Sequence, residues 1–155
     1  MELNDITSIV LAVVFGAAIG LEREISGKAA GLRTNVLICL GAAVFTVISK
    51  QMAAGQQESI TRIAAGIVSG VGFIGAGAIM RERASVLGLT TAATIWLVAS
   101  VGMACGARAY FLAAMTSLIT IVVLIGLAQL ERPLQKYGKK HKPKNLNEDQ
   151  KDTEQ

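Results

Sequence analysis

The sequence predicts an all-α integral membrane protein with about five transmembrane helices, and two observations point to this class. Hydrophobic residues make up 52% of the 155 residues, and the mean hydropathy of +0.52 is high for a water-soluble domain. Charged residues cluster in short blocks, and runs such as 63–80 and 87–107 contain no charge. A soluble helical bundle would place polar residues every three or four positions, so we expect lipid to surround most of the helices.

The apolar runs define the predicted spans and the domain division. Several runs are close to the lower length limit for crossing hydrocarbon, ~17 residues. The predicted spans are Leu3–Leu21, Asn35–Met52, Ile63–Met80, Leu89–Gly106 and Ala109–Leu130. Together they form a transmembrane domain, 1–130. The tail, 131–155, contains two prolines, seven basic residues and almost no apolar periodicity, so we predict a flexible basic arm on the cytoplasmic side.

The distribution of basic residues predicts the orientation. With five spans, twelve of the Lys and Arg residues fall on one side and only Lys50, Arg62 and Arg108 fall on the other. Cytoplasmic segments retain Lys and Arg, so the N-terminus is predicted outside and the C-terminus in the cytoplasm. The Lys-rich part of the tail is best explained as an ordinary positive flank, with contact to anionic headgroups or RNA as the alternatives.

A helical hairpin is repeated within the sequence. Segment 16–35 aligns with segment 75–92, and in each a helix end rich in small residues meets alternating charges. These charges are Glu22-Arg23-Glu24 and Arg81-Glu82-Arg83, and Gly-Leu-x-Thr follows each after a short linker. Spans 1–2 and 3–4 are therefore predicted to be parallel repeats, with both turns in the cytoplasm.

The polar residues after each linker suggest helix caps. The first turns of the second and fourth helices have free backbone N–H groups. The side chains suited to accept hydrogen bonds from them are those of Thr34, Asn35, Thr90 and Thr91. Helix starts carry partial positive charge, so two such starts with nearby arginines would attract an anion. The simpler interpretation, that Thr caps and Arg anchors to lipid phosphate, is slightly favoured.

Glycine spacing predicts close helix packing. Three pairs have small-xxx-small spacing, which lets helix backbones approach each other in lipid. The predicted packing residues are Gly16, Gly20, Gly66, Gly70, Gly72, Gly75, Gly77, Gly102 and Gly106. This number of glycine faces exceeds what a single five-helix bundle needs, so we expect a homo-oligomer, with a dimer favoured.

Four linked motifs resemble the MgtC/SapB family of bacterial membrane proteins. They are GLERE at 20–24, GLRTN at 31–35, GVGFIGAGAIMR at 70–81 and GLTTAATIW at 88–96, which ends at Trp96. The resemblance covers about residues 5–130 in the family's order. It implies a multi-pass protein of the bacterial inner membrane that is associated with adaptation to low magnesium and, in pathogens, with survival inside macrophages.

The resemblance also implies a partner. Some members are thought to restrain the proton-translocating ATP synthase, whereas direct magnesium transport by the family is doubtful. The longer, virulence-associated members carry a soluble C-terminal domain and tend to have Asn at the position of Thr90. This chain is therefore expected to be a short form, and both differences put those roles in doubt for it.

Three functions remain open at this stage. The favoured one is a regulatory role through membrane helix contacts. No nucleophile–base pair is visible, so we expect no enzyme activity and no cofactor. The second is transport of magnesium or another small ion, for which Glu22 is a weak metal-site candidate. The third is a cytoplasmic anion or nucleotide sensor that uses Arg23, Arg33 and Arg81. No nucleic-acid partner is expected, and Cys39 and Cys105 are interpreted as buried small hydrophobic residues.

Overall fold

The computed structural model describes residues 3–53, 57–82 and 85–140. Within these residues there are five helices and one two-stranded β-hairpin. In chain order they are α1 (Leu3–Ile25), α2 (Leu32–Met52), α3 (Gln57–Gly77), β1 (Met80–Glu82), β2 (Ser85–Leu87), α4 (Leu89–Gly106) and α5 (Tyr110–Lys140). The prediction of a helical membrane protein is confirmed, although the β-hairpin was not predicted.

Four of the described helices are long and apolar enough to cross a membrane. They are α1, α2, α4 and the Tyr110–Leu130 part of α5. The apolar part of α3, Thr61–Gly77, is shorter than these four. The third predicted span is therefore a helix, but by length and composition it is the weakest of the five candidates.

The chain divides into two compact units, Met1–Val122 and Val123–Gln155. The first unit contains α1 to α4 with the β-hairpin and the beginning of α5, and the second contains the rest of α5. The helix continues past Leu130 to Lys140, through the first ten residues of the predicted flexible arm. Extending an existing helix needs no new nucleus and adds one backbone hydrogen bond per residue, except at Pro133, which has no N–H to donate. Residues 141–155 lie outside the described residues.

Close contacts at glycine residues join α1, α2 and α4. Gly102 lies against the backbone of Cys39, and Gly106 lies against Ala43. A step of four residues along α4 thus corresponds to a step of four residues along α2 in the same direction. The two helices therefore run parallel and begin at the same end of the bundle, as the repeat predicted. Ala42, Val71, Ile95 and Ala99 form a buried apolar cluster between α2, α3 and α4.

The two repeated hairpins differ in their connections. The α1–α2 connection is a turn with positive φ at Gly27 (61°) and Ala30 (56°). The α3–α4 connection is the antiparallel hairpin of β1 and β2, in which Met80 pairs with Leu87. Gly88 follows with φ 88°, and a side chain there would collide with the carbonyl oxygen of Ala78. The aligned Gly-Leu-x-Thr motifs thus begin helices after different backbone paths.

Candidate functional site

The predicted threonine and asparagine caps are wrong. Helix α2 begins at Leu32, with Gly31 as its N-cap, and α4 begins at Leu89, with Gly88 as its N-cap. Neither cap makes a side-chain hydrogen bond. Thr34, Asn35, Thr90 and Thr91 lie inside the first turns, where a side chain no longer occupies the capping position.

Glu24 interacts with the start of α2 instead. Its Oε2 accepts a hydrogen bond of 3.0 Å from the backbone N–H of Leu32. A carboxylate at a helix N-terminus is favourable, because it meets unpaired N–H groups and the positive end of the helix dipole. The sequence motif contained Glu24, but nothing in it showed that the turn would fold this side chain back. The first of the two helix starts that were predicted to attract an anion is thus already in contact with an intramolecular carboxylate.

Three members of the predicted motif, Glu22, Arg23 and Asn35, lie where α1 ends and α2 begins, and we refer to them as the buried polar group. Arg23 is 4% exposed and Asn35 is fully buried. The guanidinium Nη1 of Arg23 lies 3.8 Å from Oε2 of Glu22. Glu22 Oε1 also accepts a 2.8 Å hydrogen bond from the hydroxyl of Ser26.

The buried polar group retains unused hydrogen-bonding capacity. Asn35 Nδ2 donates to the carbonyl oxygens of Ala30 and Gly31, which fastens α2 to the preceding turn. Among the described residues, Glu22 Oε2, Arg23 Nε and Asn35 Oδ1 have no hydrogen-bond partner. Buried polar atoms without a hydrogen-bond partner are uncommon in folded proteins. The buried polar group is therefore the part of the predicted motif with the clearest capacity to bind a further polar group.

The other motif residues are spread over the surface. Arg33 and Thr34 are exposed and line a pocket of about 520 Å³ with Glu24, Gly31 and Leu32. The side chains of Arg81 and Thr90 are also exposed, Thr91 is buried, and Trp96 is 52% exposed. The structure therefore does not gather the predicted motif into one pocket.

The donor set for a metal ion is sparse. No group of three or more His, Cys, Asp or Glu side chains suited to a metal ion occurs in the parts of the chain that the structure describes. Near Glu22, the oxygen atoms are accompanied by the guanidinium of Arg23, which disfavours a cation. Cys39 and Cys105 are buried free thiols.

A second polar cluster, which the sequence analysis missed, lies at the opposite end of the bundle. Asp5 is 6% exposed, and its Oδ1 accepts from Arg108 Nη2 at 3.1 Å. Its Oδ2 accepts from Gln51 Nε2, also at 3.1 Å. Ser8 and Tyr110 are joined by a hydroxyl–hydroxyl hydrogen bond of 3.0 Å. These bonds tie α1 to the end of α2 and to the α4–α5 connection. In the sequence, Asp5 and Arg108 are isolated charges near the ends of apolar runs, and nothing in their spacing pairs them.

The predicted packing glycines fall into two groups. Gly16 and Gly20 lie against α2, and Gly102 and Gly106 lie against α2 from α4. Gly75 makes ordinary contact with Ala92. By contrast, a Cβ at Gly66, Gly70, Gly72 or Gly77 would meet nothing within 4 Å.

Three of the open glycines, Gly66, Gly70 and Gly72, lie on two surfaces of α3. Gly66 and Gly70 line an open cavity of about 760 Å³ between α2 and α3, which we call the α2–α3 groove. Its lining residues are Leu37, Ile38, Gly41, Ala42, Phe45, Arg62, Ile63, Gly66, Ile67, Gly70, Val71 and Ile74. A second set of exposed residues, absent from that lining, forms what we call the outer α3 face. It consists of Ala65, Ser69, Gly72, Phe73 and Ala76.

The fold and the apolar helices define this chain as a multi-pass α-helical membrane protein. Residues 9–133 match the MgtC family, and the chain belongs to this family. It is 44% identical over 136 residues to the Escherichia coli K12 protein named "Putative magnesium transporter YhiD". It is also 46% identical over 123 residues to the Protein MgtC of Brucella abortus strain 2308, and 50% identical over 101 residues to that of Salmonella typhimurium. Its location is accordingly the inner membrane.

The similarity covers most of this chain but less of its relatives. The three alignments cover 84%, 79% and 65% of this chain, and 63%, 49% and 42% of the respective relatives. The chain thus spans about half the length of the curated relatives it matches. No solved structure matches this chain.

Proposed function

We propose that this chain is a regulatory protein of the MgtC family that acts by lateral helix contact within the membrane. The contact element is the outer α3 face. One observation carries the proposal: Ala65, Ser69, Gly72 and Ala76 are exposed along one helix, with small residues at spacings of three and four. Membership of the MgtC family supports a link between this role and adaptation to low magnesium.

The outer α3 face is suited to helix packing in lipid. Ala65 with Ser69, and Gly72 with Ala76, are two small-xxx-small pairs, and such pairs let another helix approach closely. Lipid tails are as apolar as leucine, so close packing drives association where hydrophobicity does not. Phe73, which is 84% exposed, adds a large apolar side chain beside the small residues. These features favour a helix over disordered lipid as the neighbour of this face.

The partner we propose is a second copy of this chain. A dimer about a two-fold axis along the membrane normal would place Gly72 of each copy at the same depth, so the two small-residue faces would meet. A different membrane protein, such as the proton-translocating ATP synthase, is the alternative that the family resemblance suggests.

Energy transfer between fluorescently labelled chains in liposomes tests the dimer. Gly72→Leu places a bulky side chain on the outer α3 face, so we expect the dissociation constant to rise at least about tenfold, or ~1.4 kcal/mol. Gly66→Leu is the matched control, because it makes the same change on the same helix outside that face. Energy transfer that is unchanged in Gly72→Leu would refute a dimer that forms through the outer α3 face.

Growth of a strain lacking the gene in limiting magnesium tests the regulatory role. We expect Gly72→Leu to fail to restore growth and Gly66→Leu to restore it. Growth lost through Gly72→Leu without loss of the dimer would point instead to a separate membrane partner. Full growth with Gly72→Leu would contradict the proposal for this face.

Magnesium transport is a second candidate, supported by two oxygen atoms that accept no hydrogen bond. Glu22 Oε2 and Asn35 Oδ1 have no hydrogen-bond partner among the described residues, and Mg²⁺ favours carboxylate oxygen and water ligands. The name of the YhiD relative also refers to magnesium transport. Magnesium flux into liposomes that is lost in Glu22→Gln but kept in Glu24→Gln would support this function. The neighbouring Arg23 is the reason we place transport second.

A further inference from the structure

We propose that the α2–α3 groove binds one phospholipid molecule. One acyl chain lies along the groove beside Gly66 and Gly70. The phosphate pairs with Arg62, at the end of the groove nearest the start of α3. This ligand site is separate from the outer α3 face and from the polar group around Arg23.

The groove has the shape and polarity that an acyl chain requires. It has a volume of about 760 Å³ and mainly aliphatic walls, with Phe45 on one side. Gly66 and Gly70 have no heavy atom within 4 Å of an added Cβ, so their missing side chains create the space. Val71, which is 9% exposed, belongs to the apolar cluster at which α3 meets α2 and α4. A hydrocarbon chain in the groove would cover its aliphatic walls.

The length of the groove corresponds to one leaflet. Along α3 it extends from Arg62 to Ile74, and at 1.5 Å per residue this distance is ~18 Å. Half of the ~30 Å hydrocarbon core is ~15 Å, which one acyl chain fills. The length of the groove therefore matches a single acyl chain.

Charge also favours a phospholipid. Arg62 is the one charged side chain among the described residues that line the groove, and it is exposed at one end of it. A guanidinium forms strong, often bidentate hydrogen bonds with phosphate oxygens. A second copy docked groove to groove about a two-fold axis would instead bring two Arg62 side chains to the same depth, where they repel.

Native mass spectrometry of the full chain, purified in detergent and titrated with phosphatidylglycerol, tests the proposal. We expect one tightly bound lipid per chain. Gly66→Leu fills the groove and should weaken this binding at least about tenfold. Arg62→Gln removes one cationic contact and should weaken it about fivefold, as expected for ~1 kcal/mol per basic residue.

Gly72→Leu is the matched control, because it enlarges a residue of the same helix outside the groove. It should leave lipid binding unchanged even where it disrupts the dimer, so the two proposals fail independently. Equal lipid binding by Gly66→Leu and the unaltered chain would overturn the site. A Gly66→Leu variant that keeps the lipid but no longer dimerises would also overturn the site, because a second copy of the chain would then occupy the groove.

Discussion

The glycines of α1 and α4 differ from most of those of α3, although small-residue spacing of four occurs in all three helices. A Cβ added at Gly20 or Gly102 would meet backbone atoms of α2, whereas one added at Gly66, Gly70 or Gly72 would meet nothing within 4 Å. The first set therefore holds the bundle together. The second set leaves surface available for lipid or for another helix. Small-xxx-small spacing predicts that a backbone can be approached, but not what approaches it.

The largest effect is expected for Gly102→Leu. A side chain at this position would enter the backbone of α2 at Cys39, because its Cβ would lie only 2.9 Å from the carbonyl carbon of that residue. We expect the free energy of unfolding to fall by at least ~3 kcal/mol, because a packed backbone cannot move aside cheaply. Denaturation in mixed detergent micelles measures this change. Gly126→Leu, in open space on α5, is the control and should change stability little.

Gly88→Ala should have the next largest effect. Gly88 combines φ of 88° with close contact to the backbone of Ala78. We expect a loss of about 2 kcal/mol, from left-handed strain together with the collision. Gly27→Ala separates the two causes, because Gly27 has φ of 61° but open space around it. Equal losses in the two variants would mean that the contact with Ala78 contributes nothing.

Gly20→Ala should have a smaller effect of the same sign. The added methyl group would lie 2.9 Å from the Cα of Leu32, so α1 and α2 must separate slightly. We expect a loss of ~1 kcal/mol, because the gain in helix propensity offsets part of the packing cost. The thermal midpoint in detergent should fall. A raised midpoint would show that the α1–α2 contact is looser than the structure indicates.

Gly70→Ala should give the smallest effect, with the opposite sign. The methyl group enters open space in the α2–α3 groove, and alanine favours the helix more than glycine does. We expect stability to rise by ~0.5 kcal/mol, measured in the same detergent titration. A loss of stability would place a neighbouring group against Gly70 and remove the distinction between the two sets of glycines.

The two ends of the bundle show how far local sequence patterns can be relied on. Capping residues were predicted at 34–35 and 90–91 because their side chains suit that role, yet α2 begins at Leu32 and binds Glu24 from the preceding helix. At the other end, the ion pair of Asp5 with Arg108 joins residues 103 positions apart. No local spacing encodes either contact.

The sequence by itself determined the class of protein, the presence of five helices and the family. Each helix in lipid must satisfy its own backbone hydrogen bonds. The length of an apolar run and the glycines that bound it therefore identify each helix independently of the others. Only the tertiary structure decided which glycines are covered, that Arg23 and Asn35 are both buried, and that a groove remains between α2 and α3. These features depend on the register and distance between helices, which are set by side-chain packing across the whole bundle.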